Sequence, residues 1–237
     1  MSETIDVDVV RVFTDESGDH GNELGVIEST GSTLGREQEI AKALGFSETV
    51  FVDGIDDETG IAHIRIFTPA KELPFAGHPS VGAAWLLTRQ GIAITALREK
   101  AGEVAVAVAA ATDADADATW ITARAEWAPE FTWLPLDSPD AVDELDASGF
   151  AEGQHYAYAW IDEPGGHLRA RMFAPEMGIS EDEATGAAAV RITSRLGRGL
   201  RILQGEGSVL LTELGGEGFV RVGGRTVYDR RERLELL

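Results

Sequence analysis

One stretch of this chain occurs twice, and the repeat constrains the fold more than any other feature. "HIRIFTPAKELPFAGHPSVGAAWLL" (63–87) aligns with "HLRARMFAPEMGISEDEATGAAAVRI" (167–192). Each copy opens as a strand ending in Phe-x-Pro (Phe67 and Pro69; Phe173 and Pro175), crosses a loop, and reaches Gly-Ala-Ala (Gly82 to Ala84; Gly186 to Ala188). Four residues before that glycine stands a titratable side chain, His78 in the first copy and Asp182 in the second. A duplicated strand–loop–helix unit predicts two similar lobes facing each other across a cleft. Pro79 suits the first turn of a helix, where its missing N–H costs nothing. Asp182 is a preferred N-cap residue. Small residues in the first turns let a ligand approach, and free N–H groups with the positive dipole end suit a carboxylate or phosphate. Taken alone, His78 reads sooner as a buried polar residue satisfied by backbone and Asp182 as a cap; their matched positions point to a shared site.

The remaining sequence alternates short strands with helices, an α+β pattern. "IDVDVVRVF" alternates apolar and polar residues, with "GNELGVI" as its partner strand. "LGREQEIAKALGF" carries Ile40, Ala43 and Leu44 at helical spacing and ends at Gly45, a natural C-cap. "SETVFVD", "GEVAVAVAA" and "TWITARAEW" are further strands, and "ATDADADAT" between the last two reads as a hairpin tip. Prolines in "WAPEFTWLPLDSP" break the periodicity, placing a first lobe at 1–128 and a shortened second lobe at 129–237, whose last strand could pack back on the first. "PDAVDELDA" is a short helix, and "LRILQG", "GSVLLTEL" and "GFVRVGG" are closing strands.

Composition narrows the function. The chain has no cysteine, which excludes thiolate metal sites and any cysteine nucleophile or acid/base pair. With 41 acidic against 20 basic residues its net charge is −21, a field that opposes nucleic acid and anionic membranes as partners. No basic region followed by an apolar run opens the sequence, and no apolar run is long enough to span a bilayer, so a soluble cytoplasmic protein is expected. No P-loop, dinucleotide fingerprint or G-x-S-x-G occurs, and no cofactor is expected. Asp19, His20, Asn22 and Glu23 cluster, but no second cluster has ligand spacing to match; an exposed turn rather than a metal site is expected. Arg169 and Arg171 alternate along a strand, and one of them could face the cleft.

"ELPFAGHPSVGAAWLL" and "FAPEMGISEDEATGAAA", with "VFTDESGDHGNELGVI", "LGFSETVFV" and "LREKAGEVAV", resemble the signatures of the phenazine-biosynthesis PhzF-like family. The usual forms read approximately E-x-P-F-A-G-H-P-T and E-D-P-A-T-G-S-A. The resemblance implies the diaminopimelate-epimerase-like fold: two lobes, each a strongly curved, barrel-like mixed sheet around a central helix, with the active site between them. It implies a glutamate proton shuttle in the S-E-T motif, here Glu48, with His78 and Asp182 as the accompanying catalytic residues. Gly77 beside the histidine, Asn22, Gly186 and Ala187 would then contact a small anionic substrate, and a homodimer is implied. Independently, Glu48 begins an apolar strand, where burial would raise its pKa toward neutrality.

Three departures qualify this resemblance. Ala187 replaces the family's serine, Glu183 replaces its proline and puts another acid beside the expected anion site, and the second lobe lacks a strand–loop–helix stretch. The expected function is a cofactor-independent isomerase moving a proton on a small carboxylate-bearing metabolite. The alternatives are an epimerase or tautomerase on a related acid, or a non-catalytic ligand-binding protein.

Overall fold

A computed structural model describes residues 3–108, 117–175 and 178–236. In chain order the elements are β1 (Glu3–Thr14), β2 (Asn22–Glu28), α1 (Glu37–Leu44), β3 (Glu48–Asp56), β4 (Ile61–Phe67), β5 (Glu72–Leu73), α2 (Gly77–Arg89), β6 (Ala96–Glu99), β7 (Gly102–Val108) and β8 (Ala118–Arg124). There follow β9 (Thr132–Pro135), α3 (Pro139–Asp143), β10 (His155–Asp162), β11 (His167–Ala174), β12 (Ile179–Asp182), α4 (Gly186–Leu196), β13 (Leu200–Gln204), β14 (Ser208–Gly216) and β15 (Phe219–Leu236). Residues 109–116, most of the acidic segment expected to form a hairpin tip, lie outside the described residues; the flanking β7 and β8 pair antiparallel, Val106 opposite Ile121.

Eight strands close into a barrel in the order β1-β2-β3-β4-β6-β7-β8-β15, with β15 returning to pair with β1. Helix α2 fills it, packing against β1, β2, β3, β8 and β15. Its apolar residues Val81, Ala83, Ala84, Leu86 and Leu87 are buried on several sides of the helix, as a helix surrounded by sheet requires. Gly82 lets it approach the wall: a Cβ there would lie 2.5 Å from Leu24 and 2.7 Å from Val12.

The second lobe is the open sheet β15-β14-β13-β11-β10-β9. Helix α4 packs on β14 and β15, while α3 packs on β10 and β11. Both faces of β10 are therefore covered. Tyr156 and Tyr158 join the main core, whereas Ala157 and Ala159 join Val142, Phe173 and Phe150 beneath α3. This explains why "HYAYAW" lacks polar outward positions.

Strand β15 belongs to both sheets: Phe219 to Arg225 pair with β8, and Arg225 to Leu236 run along β1. Its second half is longer than "GFVRVGG" predicts because ion pairs alternate there with apolar residues, Arg231–Asp8 at 2.8 Å and Arg233–Asp6 at 3.1 Å beside Leu234 and Leu236, which pack with Ile5 and Val7. Helix α1 ends at Gly45 in the left-handed region, φ 75°. Its buried face holds Glu37, Ile40 and Ala41, not Ala43. Glu37 is admitted because Arg65 reaches it at 2.8 Å. No helix among the described residues is long and apolar enough to cross a membrane.

Candidate active site

Helices α2 and α4 meet N-terminus to N-terminus. A Cβ on Gly77 would lie 2.9 Å from the Gly186 carbonyl carbon, and one on Gly186 would lie 2.7 Å from the His78 nitrogen. Glycine at both positions lets the two backbones touch. Neither helix has a side-chain cap. Two positive helix ends converging in this way favour negative charge beside them.

Two carboxylates supply that charge. Glu48, the first residue of β3, is mostly buried, its side chain 15% exposed, and its Oε2 lies 3.2 Å from His78 Nδ1. His78 sits within the first turn of α2, fully inside the protein. Burial pushes the Glu48 carboxyl up, but the hydrogen bond from His78 and its charge outweigh burial and hold it below the usual glutamate range. The expected upward shift is thus reversed, because burial brought a partner with it. An ionised Glu48 can only accept, so the shared proton resides on Nδ1.

Asp182 ends β12, and Thr185, not Asp182, is the N-cap of α4. Its carboxylate is clamped by Asn22 Nδ2 on Oδ1 at 2.6 Å and Thr185 Oγ1 on Oδ2 at 2.5 Å. Asn22 also donates to the Ala184 carbonyl, tying β2 to this loop. Behind Thr185, the Gln204 amide donates to its hydroxyl and to the Asp182 carbonyl, both at 2.9 Å, and the buried Tyr156 hydroxyl donates to Gln204 Oε1 at 3.1 Å. The direction of this chain is fixed: an amide nitrogen only donates, so the Thr185 proton goes to Asp182. Burial, then the negative charge of Glu48, nevertheless push Asp182 up to about 6, with Thr185 and Asn22 opposing. The acid raised toward neutrality is therefore in the second lobe.

Glu48, Asp182, Thr185 and Ala187 line one cavity of about 390 Å³, whose walls include Phe75, Trp127, Phe131 and Met172. A wider cavity of about 680 Å³, between the 45–47 and 68–71 segments and Gly178 to Glu181, shares Lys71 and Ile179 with it. Among the described residues Lys71 is the only cationic side chain lining either. A separate cavity of about 430 Å³ by Glu16, Asp117, Arg201 and Arg225 pairs its charges, Arg201–Glu16 at 3.4 Å and Arg225–Asp117 at 3.2 Å.

Of the residues expected at the site, Glu48, His78, Asp182, Asn22, Gly77, Gly186 and Ala187 all converge here. Three expectations are corrected. Glu183 does not face the anion site: its carboxylate accepts from Glu206 N at 2.8 Å, Gly207 N at 3.3 Å and Ser208 Oγ at 2.7 Å, clasping the β13–β14 turn. Arg171 grips Glu181 and the carbonyls of Val142, Asp143 and Leu145. Arg169 grips Asp143 and the Gly205 carbonyl. Neither arginine lines the cavity. The 19–23 turn braces the lobes, Gly21 N donating to Ser208 Oγ and Glu23 pairing with Arg230. Thr185, Gln204, Tyr156 and Lys71 were not expected at the site; the hydroxyl three residues after Asp182 in "DEATG" was the available signal for the first.

The family model described as phenazine biosynthesis-like protein (PhzC-PhzF) matches residues 10–159. The trans-2,3-dihydro-3-hydroxyanthranilate isomerase of Pseudomonas aeruginosa is 31% identical over 205 residues, 72% of this chain and 72% of that one. Its namesake from Pseudomonas chlororaphis is 31% identical over 233 residues, 84% of this chain and 83% of that one. The chain belongs to the phenazine biosynthesis-like family. Both relatives are isomerases, and this protein is an isomerase of the same family. A PhzF-family phenazine biosynthesis protein from Bacillus anthracis shares the fold at TM-score 0.75 and 21% identity, covering 98% of this chain and 99% of that one. A hydroxyproline epimerase from Agrobacterium vitis does so at TM-score 0.61 and 12% identity, covering 98% and 93%. The epimerase-like fold implied by the family resemblance is the fold observed, with the first lobe a closed barrel and the second an open sheet.

Proposed function

We propose that this protein is a cofactor-independent isomerase that shifts a proton between carbons of a small cyclic acid, with Glu48 as the proton carrier. The observation that carries the reading is the pair of carboxylates lining one cavity from different lobes, Glu48 lowered by His78 and Asp182 raised to about 6. Pairs of acids whose environments push them apart divide the roles of base and acid. Near neutral pH Glu48 is ionised and able to take a proton from carbon. The electron pair left behind moves into adjacent unsaturation, and Glu48 returns the proton to a second carbon, so no atoms are gained or lost. Asp182, titrating close to neutrality, donates to the charge that develops. The substrate carboxylate lies against the N–H groups of α2 and α4. Phe75, Trp127 and Phe131 suit an unsaturated ring of the size of dihydro-hydroxyanthranilate, the substrate in the relatives' names.

A second reading, epimerisation, is favoured by the same opposition of acids, since inversion at one carbon needs a base on each face. The test is incubation in deuterium oxide with trans-2,3-dihydro-3-hydroxyanthranilate and related cyclic acids, followed by NMR, for the wild type and Glu48→Gln. Deuterium at a new carbon supports isomerisation; deuterium at the original carbon with inversion supports epimerisation. Equal exchange by both proteins contradicts the role of Glu48.

A further inference from the structure

Outside the cavity, one buried acid has no part in the proton shift. Glu99 ends β6 with only 6% of its surface exposed, and its Oε2 has no partner among the described residues. Its Oε1 lies 2.6 Å from Ser80 Oγ, and the same hydroxyl lies 2.6 Å from the Ala76 carbonyl oxygen. A carbonyl only accepts, and the one Ser80 hydroxyl proton cannot serve both contacts. An ionised Glu99 also only accepts, which would leave two oxygens in close contact with no proton between them. A neutral carboxyl resolves the count: its O–H donates to Ser80, and Ser80 donates to Ala76.

We propose that Glu99 is a positioning residue, a neutral carboxylic acid whose proton, relayed through Ser80, fixes the Ala76–Ser80 start of α2 and thereby the His78 ring that holds Glu48. Burial is the cause that keeps it protonated, pushing it to about 8. Among the described residues no charged group faces it. From α2 it meets Ser80, and across the ladder in β7 its partner is Gly102. The flanking cations are occupied at the surface, Arg98 by Glu103 at 2.9 Å and Lys100 by Glu72 at 3.0 Å, and His63 of β4 is exposed opposite Arg98. Ionisation at alkaline pH would break the relay from its far end and loosen the start of α2.

The test needs no substrate, and the inference depends on Glu48 and His78 being the reacting pair only for its effect on turnover. Protein with ¹³C-labelled glutamate carboxyls is titrated by NMR, together with the ¹⁵N signals of the His78 ring, in the wild type and Glu99→Gln. The glutamine amide donates to Ser80 at every pH. One carboxyl resonance titrating near 8 is expected in the wild type and absent from the variant, and the His78 signals shift with it only in the wild type. Because the folded value lies above the unfolded value of 4.5, the wild type loses stability as pH rises from about 4.5 to about 8, and Glu99→Gln lacks that part of the slope. If the variant does not fold, the wild-type titration still decides, with Ser80→Ala identifying the resonance by displacing it. Every glutamate titrating in the ordinary acidic range, or identical His78 titrations in both folded proteins, overturns the proposal. An enzyme silent on every acid tested would contradict the proposed function and leave this result readable.

Discussion

At the start of α2 the titratable side chain, His78, lies inside the helix and reaches Glu48 within the same lobe. At the start of α4 its counterpart, Asp182, ends the preceding strand and is held by Thr185 and by Asn22 from the other lobe. The strand, loop and Gly-Ala-Ala helix are common to both copies, but the bonding differs in kind. A group able to carry positive charge holds Glu48 ionised, whereas Asp182 has only neutral donors and feels the charge of Glu48, so burial prevails there. One duplicated scaffold thereby presents two acids of unequal strength to one cavity.

Removing one acid at a time separates the two roles. Glu48→Gln is expected to lower turnover by about 10³-fold or more, and Asp182→Asn by about 10²-fold, because the carrier is lost in the first and one hydrogen-bonded acid in the second. Steady-state kinetics checks this, and equal losses would mean that the acids are not unequal. Next, the backbone contact between the helices can be strained: Gly77→Ala and Gly186→Ala each place a methyl within 2.9 Å of the opposing backbone. Each is expected to cost about 1–3 kcal/mol in denaturant unfolding. His78→Gln removes the charge that opposes burial at Glu48, leaving the weaker hydrogen bond from Ser47, so the Glu48 titration moves up; the acid limb of the pH–rate profile should move to higher pH. The smallest effect is expected from Lys71→Gln, about a two- to fivefold rise in KM with little change in kcat, since an exposed ammonium at the rim contributes under about 1 kcal/mol.

The repeat alone made the two lobes, their helices and the convergence of the two helix starts legible. Glu48 was legible mainly through its motif, since a glutamate opening an apolar strand reads as well for solvent as for a cavity. Bonding that joins distant segments was not legible. Glu183, beside an expected anion site, turns to a loop more than twenty residues on, and nothing local to "DEAT" signals it. Gln204 reaches Thr185, and Tyr156 reaches Gln204, only once β11 lies between β10 and β13. The length of β15 was hidden because its outer half is charged, with partners more than two hundred residues away on β1. Helix periodicity located α1 but misassigned Ala43, as eight residues fix a helical face only loosely.

Glu48 and Asp182 face one cavity, and the charge of Glu48 raises Asp182. A ¹³C carboxyl NMR titration of Asp182 in the wild type and in Glu48→Gln measures this coupling. Asp182 is predicted to titrate near 6 in the wild type and distinctly lower in the variant, because the neighbouring negative charge has gone. A wild-type midpoint near the ordinary 3.8, or a midpoint unmoved by the substitution, would contradict the account.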